Sequence, residues 1–289
     1  MFSYDSTQAL DVREEAARPG AAHVVHDLTY ASPLGGRVPA YLVVPDGPGP
    51  FPAIIYVHPG QGDRSTYLPE AQALATAGVA SLLIDAPFRR PDFTRPAAGT
   101  PLQAIATTEA RAYRQLVVDV RRGIDLLAVT PGSDPERIGY VGHSLGATWG
   151  GPLAGVETRL RALVLMAGFP SLTAAYRSNP HPALSGMRSR LSPDDLDCYL
   201  EILAPLDAVH YIGQAAPAAL LFQFARRDEF ITPEEAELYF RLASEPKEIT
   251  WYDADHFFSG VPAARRDRVD WLASRLAFEP PGNETLGLD

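Results

Sequence analysis

Short apolar runs rich in β-branched residues alternate along this chain with longer stretches whose apolar residues recur at helical spacing. This alternation predicts an α/β fold, in which helices cover both faces of a mostly parallel sheet. Ahead of the alternation, two runs flank the turn-forming pair Gly35-Gly36, which predicts an opening antiparallel hairpin. Eight strands are predicted, over residues 24–30, 38–44, 53–57, 79–84, 138–141, 162–166, 218–224 and 248–252.

Two helices have clear sequence signals. Apolar residues within 113–127 recur at helical spacing with arginines on the other side, which predicts an amphipathic helix between the fourth and fifth strands. A later helix is predicted to begin after Thr232, because Pro233 suits a first turn and Glu235 can complete a capping box. The Gly-Gly-Pro sequence at 150–152 is poor helix material, so it is predicted to shorten or kink the helix after the fifth strand.

The length of the chain favours one domain. With 289 residues, 46% of them hydrophobic, it can bury the core of a complete α/β domain. The predicted domain covers residues 23–280. An N-terminal arm or short helix is predicted over 1–22, and a C-terminal tail over 281–289.

Residues 170–212 interrupt the rhythm of strands and helices. Loop-forming residues at 179–182 precede a further helix, and the segment is too short for a domain of its own, so a small lid-like insertion is predicted. Its larger side chains, Tyr176, Met187 and Tyr199, would restrict a pocket beneath it to compact substrates.

Charge and cysteine content limit the classes of partner. The formal net charge is −10 without a long run of one sign, which argues against a nucleic-acid or anionic-membrane surface. Cys198 is the single cysteine, and the first residues lack a basic stretch followed by an apolar one, so a cytoplasmic protein is expected. Arginine almost completely replaces lysine, which is typical of GC-rich coding and indicates a bacterial source. The sequence leaves a homo-oligomer open.

The pentapeptide Gly142-His143-Ser144-Leu145-Gly146 directly follows the fifth predicted strand. There the chain must turn sharply into a helix, and a serine held in such a turn needs small neighbours so that the backbone can fold back. Gly142 and Gly146 supply that room. We therefore predict that Ser144 is a nucleophile, and the alternative is an ordinary turn serine between glycines.

A serine nucleophile needs a base to take its proton and a carboxylate to orient that base. Asp228 follows the seventh predicted strand and His256 follows the eighth. Because the carboxyl ends of parallel strands gather along one edge of the sheet, Ser144, Asp228 and His256 are predicted to converge. Asp253 and Asp255 compete for the role of acid, but they lie at the strand end that carries His256 and are interpreted as turn formers.

Hydrolysis at a carbonyl also needs donors for the negatively charged oxygen of the tetrahedral intermediate. The amide of Leu145 is the first predicted donor, because it follows the nucleophile and begins a helix, where amides are free. The second is predicted in the loop His58-Pro59-Gly60-Gln61-Gly62, with the Gly60 amide preferred and Gln61 as the alternative.

Other chemically capable residues receive structural interpretations. Neighbours in an elbow point apart, so His143 is not expected to be the base. His23 and His26 lie three residues apart on a strand and face opposite sides of the sheet, so they are not expected to bind a metal. The sequence Gly60-Gln61-Gly62 begins like a dinucleotide-binding fingerprint but lacks the third glycine, so a nucleotide site is not predicted there. Cys198 is interpreted as a small core or lid residue. No metal and no organic cofactor is predicted.

Over residues 23–278 the sequence resembles the α/β-hydrolase superfamily. Four segments carry the resemblance, and they are the elbow Gly142–Gly146, the loop His58–Gly62, the acid Asp228 and the sequence Asp255-His256-Phe257.

Residues 221–232 are similar to single-domain esterases related to dienelactone hydrolases and to the catalytic domains of prolyl-oligopeptidase-like enzymes. Dienelactone hydrolases use a cysteine where this chain has Ser144. The resemblance implies an eight-stranded α/β-hydrolase fold and a serine esterase that cleaves small-molecule esters through an acyl-enzyme. An amidase, thioesterase or exopeptidase with the same residues is one alternative, and a non-catalytic binding protein of this fold is the other.

Overall fold

A computed structural model describes residues 1–288, and these residues form one sheet of nine strands surrounded by helices. The strands are β1 (Arg13–Pro19), β2 (His23–Ala31), β3 (Arg37–Pro45), β4 (Phe51–Val57), β5 (Ala80–Ile84), β6 (Ser133–His143), β7 (Leu160–Met166), β8 (Ala219–Ala225) and β9 (Lys247–Tyr252).

The strand order across the sheet is β1-β2-β3-β5-β4-β6-β7-β8-β9. The pairs from β1 to β5 are antiparallel, and every pair from β5 to β9 is parallel. Strands β4, β5 and β8 are buried at every position, as expected of parallel strands covered on both faces. The predicted α/β class and the opening hairpin around Gly35-Gly36 are confirmed. The predicted number of eight strands is wrong by one, because β1 has no counterpart among the predicted strands.

Nine α-helices occur within residues 1–288. Helix α2 packs against α3, and α1 is joined to α8 by a buried ion pair in which the Arg268 Nε donates to Glu70 Oε1 at 3.1 Å. The helices are α1 (Leu68–Ala75), α2 (Leu102–Val129), α3 (Leu145–Val156), α4 (Leu172–Ser178), α5 (Pro182–Arg188), α6 (Pro193–Leu203), α7 (Pro233–Leu242), α8 (Pro262–Leu276) and α9 (Asn283–Leu286).

The signals for α2 and α7 are confirmed, but the prediction for residues 150–152 is wrong in part. Helix α7 begins after Thr232 with the predicted capping box to Glu235. Helix α3, in contrast, continues through Pro152 to Val156 rather than ending early. Its glycines serve close packing, since a Cβ at position 151 would lie 2.4 Å from the Ala208 Cβ.

The N-terminal residues contribute more structure than the predicted arm or short helix over 1–22. Arg13–Pro19 forms β1, which pairs with β2 at the edge of the sheet. Sequence periodicity does not reveal this strand because nearly all of its side chains are exposed, so backbone hydrogen bonds rather than an apolar face hold it. Ahead of it, Phe2 is buried and its carbonyl accepts a hydrogen bond from Arg121 at 2.8 Å.

The predicted tail over 281–289 contains the helical turn α9, whose Leu286 is buried. Arg265 donates to the Leu286 carbonyl at 2.7 Å, which ties this turn to α8. Residues 281–288 therefore pack against the domain, and Asp289 lies outside the described residues.

The predicted insertion over 170–212 contains α4, α5, α6 and two short 3₁₀ turns between β7 and β8, and a third such turn begins at its last residue. Helix α6 packs along α2, and its Cys198 is exposed rather than in the core. The buried side chain of Asn179 donates at 2.8 Å to both the Phe230 carbonyl and the Glu235 carboxylate, so the insertion is tied to the loop after β8.

None of the helices in the described part of the chain is both long enough and apolar enough to cross a membrane.

Candidate active site

Ser144 occupies the sharp turn between β6 and α3. Its backbone has φ 53° and ψ −106°, a conformation that residues other than glycine rarely adopt. The Ser144 amide donates to the Met166 carbonyl at 2.7 Å, and its own carbonyl accepts from Thr148 at 2.8 Å. The turn thus places the serine side chain at the carboxyl edge of the sheet, held from both sides by backbone hydrogen bonds.

Gly142 and Gly146 have the steric role that the sequence predicts. A Cβ at position 142 would lie 2.5 Å from the carbonyl of Gly146, and a Cβ at position 146 would lie 2.3 Å from the carbonyl oxygen of Val57. Both neighbours are backbone atoms, which cannot give way as the end of a flexible side chain can.

Replacing Gly146 by alanine is expected to lower the free energy of unfolding by about 2–3 kcal/mol, because β4 and α3 must separate to admit the new methyl group. A matched control is Gly186→Ala in α5, where a Cβ would meet no atom within 4 Å. That change should leave stability unaltered or raise it by about 0.5–1 kcal/mol. Urea unfolding of both variants measures the difference, and equal stabilities would contradict the steric role of Gly146.

Ser144, His256 and Asp228 form a continuous chain of hydrogen bonds. The Ser144 Oγ lies 2.9 Å from His256 Nε2, and His256 Nδ1 lies 2.9 Å from each carboxylate oxygen of Asp228. The backbone amides of Phe230 and Ile231 donate to Asp228 Oδ1 at 2.8 and 2.9 Å. The structure therefore brings together the three side chains that the sequence predicts to converge, although β6, β8 and β9 carry them at distant positions in the chain.

This arrangement fixes the roles of the two imidazole nitrogens. A carboxylate accepts hydrogen bonds, so Nδ1 carries the proton that is donated to Asp228, and Nε2 is left to accept the Ser144 hydroxyl proton. The side chains of His256 and Asp228 are only 2% and 1% exposed. Water therefore competes little for these hydrogen bonds, and the imidazole keeps one orientation.

The two other aspartates considered for the role of acid, Asp253 and Asp255, have different partners. Asp255 accepts the backbone amides of Phe257 and Ser259 at 3.1 and 2.9 Å, and these hydrogen bonds hold the pKa of its carboxyl below the usual range. Asp253 is exposed and forms an ion pair with Arg227. Neither carboxylate is hydrogen-bonded to His256 in the described residues, and Asp255 has the local backbone hydrogen bonds expected of a turn residue.

Two residues whose backbone amides have no protein acceptor line a cleft beside the serine. The cleft has a volume of about 420 Å³ and is lined by Gly60, Leu145, mostly apolar side chains and the charged residues Arg95 and Glu109. Within residues 1–288, no protein group accepts a hydrogen bond from the amide of Gly60 or Leu145. Gln61, the alternative donor, is not among the described residues that line this cleft. Both amides are thus free to bind an oxygen atom.

His58 holds the loop that carries Gly60. Its Nδ1 donates to the Pro59 carbonyl at 2.7 Å, and its Nε2 accepts the amide of Ala86 at 3.1 Å. Burial lowers the pKa of His58, so the ring stays neutral and can donate and accept at once. The sequence alone assigns His58 no role, whereas in the structure this residue connects the end of β4 to the residues after β5.

His143 supports the loop that carries His256. Its Nε2 lies 2.8 Å from the His256 carbonyl and donates to it. Burial, with the neighbouring His256 as a smaller cause, lowers the pKa of His143 to about 3. The ring is therefore neutral, and it does not contact the Ser144 hydroxyl as a base would.

The low pKa of His143 is expected to make folding sensitive to acid. In the unfolded chain this imidazole takes up a proton near pH 6.5, whereas in the folded chain it does not do so until about pH 3. The free energy of unfolding therefore decreases as the pH is lowered through that range. Lowering the pH from about 8 to about 5 should reduce the contribution of this residue to the free energy of unfolding by about 2 kcal/mol. His143→Gln keeps an N–H donor but cannot titrate. Over the same pH range, urea unfolding should therefore show a smaller loss of unfolding free energy in the variant than in the wild type, by that amount. Equal losses in wild type and variant would contradict this.

No protein-family model matches the chain. The esterase FrsA of Salmonella typhimurium is 24% identical over 298 aligned positions, which cover 94% of this chain. The chain spans 64% of the length of that curated relative.

Solved structures show the fold. An acetyl xylan esterase from Paenibacillus sp. R4 superposes with a TM-score of 0.77 at 20% identity, covering 93% of this chain and 90% of the other. The alpha/beta hydrolase GrgF from Penicillium sp. sh18 gives a TM-score of 0.65 at 17% identity, with 87% and 99% covered. The chain has the α/β-hydrolase fold. The fold that the resemblance implies is confirmed.

Proposed function

We propose that this α/β-hydrolase-fold protein cleaves carboxylic esters through a covalent acyl-enzyme intermediate. The observation that carries the proposal is the hydrogen-bonded chain from Ser144 through His256 to Asp228, set beside a cleft with two free amides. In this proposal Ser144 is the nucleophile, His256 the general base and Asp228 the group that orients the imidazole.

Acylation follows from the orientation of these groups. His256 Nε2 takes the hydroxyl proton as the Ser144 Oγ forms a bond to the ester carbonyl carbon, and the carbonyl π electrons move onto oxygen. The amides of Leu145 and Gly60 donate to that oxygen, and each such donor contributes on the order of 3 kcal/mol to stabilising the transition state. When the carbon–oxygen bond to the alcohol breaks, His256 returns the proton to the departing oxygen.

Deacylation repeats these steps with water. His256 takes a proton from a water molecule that attacks the acyl carbon, and the collapse of the second tetrahedral intermediate restores the Ser144 hydroxyl and releases the acid. The balance is one ester and one water converted to one acid and one alcohol. Every proton transfer runs through the one imidazole, so the chemistry proposed here uses only side chains and backbone amides.

The choice of esters over other acyl compounds is supported by the names of similar proteins. The relative FrsA and the Paenibacillus structure are both called esterases. Tyr176, Met187 and Tyr199 of the insertion line a second cleft of about 470 Å³, which favours compact substrates over long lipids. A small-molecule ester as the partner and a cytoplasmic location belong to this proposal as predictions.

A substrate panel tests the proposal. Values of kcat/KM are compared for p-nitrophenyl esters of increasing acyl length, acyl thioesters and aminoacyl anilides, with Ser144→Ala as the background control. We expect the highest value for a short p-nitrophenyl ester and a decline for long acyl chains. A higher value for an anilide would instead indicate an amidase or exopeptidase, and a higher value for a thioester a thioesterase.

A further inference from the structure

Glu109 lies where two clefts meet. It lines the cleft of about 420 Å³ that contains Gly60 and Leu145, and it also lines the cleft of about 470 Å³ beneath the insertion. A substrate whose carbonyl lies beside Ser144 would place its remote part next to this carboxyl group. The proposed hydrolysis uses no carboxyl group here.

The surroundings of Glu109 are aromatic. The Tyr199 hydroxyl donates a hydrogen bond to the Glu109 carboxylate, and the Tyr176 ring lies 5.7 Å from the Tyr199 ring in an edge-to-face arrangement. Tyr113 lies one turn along α2 from Glu109 and stacks on Trp149 at 4.3 Å. Glu109 thus has tyrosine rings along its own helix and across the cleft.

Glu109 lacks a positively charged partner. No basic side chain forms an ion pair with it in the part of the chain that the structure describes. Arg95 lines one cleft and Arg190 the other, but both are exposed and neither pairs with it. Burial raises the pKa of the Glu109 carboxyl, while the hydrogen bond from Tyr199 opposes this shift. The carboxylate therefore has one neutral donor and no charge to balance it.

We propose that Glu109 and the tyrosine rings around it bind a cationic amine on the substrate, and this inference rests on the proposed ester hydrolysis. An ammonium group supplies the opposite charge that the partly buried carboxylate lacks, and aromatic faces attract cations electrostatically. A neutral hydroxyl group supplies a donor without charge, and an anionic group is repelled. The net charge of −10 draws cationic substrates toward the protein as well.

The competing explanation is that Glu109 only joins α2 to α6 through Tyr199. Glu109→Gln separates the two roles, since the amide carbonyl still accepts the Tyr199 hydroxyl proton while the negative charge is removed. The matched control is Glu201→Gln, which removes the same charge from an exposed position on α6. Tyr199→Phe is the complementary change, because it breaks the link and keeps the charge.

The experiment measures binding without turnover. In the Ser144→Ala background, calorimetry compares butyrylcholine with its uncharged isostere 3,3-dimethylbutyl butyrate, and a second pair places the quaternary amine on the acyl side. We expect the cationic member of at least one pair to bind about 10-fold more tightly or better. Glu109→Gln should remove that preference, whereas Glu201→Gln and Tyr199→Phe should keep it.

Three results would overturn the inference. They are equal binding of the cationic and neutral members in both pairs, a preference that survives Glu109→Gln, and equally tight binding of 2-hydroxyethyl butyrate. The first and third comparisons use the protein without any change at Glu109, so they decide the matter even if Glu109→Gln does not fold. Hydrolysis of simple neutral esters by the wild type reports separately on the proposed function, so the two proposals can fail independently.

Discussion

Replacing Ser144 by alanine is expected to lower kcat/KM for ester hydrolysis by a factor of about 10⁴–10⁶. The change removes the oxygen that would bond to the acyl carbon, while the free amides of Gly60 and Leu145 remain beside the cleft. Catalysis that persists would come from these donors and from substrate binding alone. Initial rates on the best ester of the panel, with enzyme freed of contaminating esterase, measure the effect.

The fold should not suffer from this substitution. Alanine adopts the conformation at φ 53° no more easily than serine does, so the free energy of unfolding should change little. Ser144→Gly is the informative companion, because glycine relieves the strain and should raise stability by about 1–2 kcal/mol in an equally inactive protein. Activity of the alanine variant within about 100-fold of wild type would contradict a nucleophilic role for Ser144.

Replacing Asp228 by asparagine is expected to lower kcat by about 10⁴-fold with a much smaller change in KM. The asparagine carbonyl can still accept the amides of Phe230 and Ile231, so the loop should keep its shape. Its amide group, however, carries no charge to stabilise the imidazolium, and it favours the tautomer of His256 that cannot accept the Ser144 proton. A split between kcat and KM separates this effect from general disruption of the loop.

The other two aspartates near His256 provide matched controls. Asp255→Asn alters a carboxylate that also accepts two backbone amides, and Asp253→Asn alters an exposed carboxylate paired with Arg227. Each should lower kcat by less than about 10-fold, because neither contacts the imidazole. A larger loss in either control than in Asp228→Asn would show that the wrong carboxylate has been assigned.

The sequence predicts the frame of this fold because burial leaves a readable pattern. Strands such as β4 and β8 are covered on both faces and therefore appear as nearly continuous apolar runs. The glycines of the elbow are equally readable, since their positions are set by backbone contacts close in the chain. Strand β1 is different, because it is exposed and its pairing depends on backbone groups that every residue carries.

The convergence of Ser144, Asp228 and His256 could be predicted because strand order alone brings their loops to one edge of the sheet. The supporting residues could not be found this way. His143 acts on the carbonyl of a residue that lies 113 positions away, and Asn179 reaches the loop after β8 across 51 positions. Such contacts depend on packing angles between helices and loops, which a single sequence does not specify.

Glu109 is another residue that the sequence alone does not single out. It lies on α2 ahead of the stretch 113–127 that the periodicity predicts, and a polar residue beside an amphipathic helix has no special meaning in the sequence alone. It becomes informative only when α6 brings Tyr199 against it and the cleft beside Leu145 opens onto it. The preference for Gly60 over Gln61 as an oxyanion donor depends likewise on which of the two residues lines that cleft.

Covalent labelling tests whether His256 and Asp228 activate the Ser144 hydroxyl as a nucleophile. The protein is incubated with a fluorophosphonate, and the modified residue is located by peptide mass spectrometry. We expect one adduct, on the Ser144 Oγ, that forms far more slowly in His256→Ala and is absent from Ser144→Ala. An unlabelled wild-type protein, or an adduct that forms equally fast without His256, would contradict it.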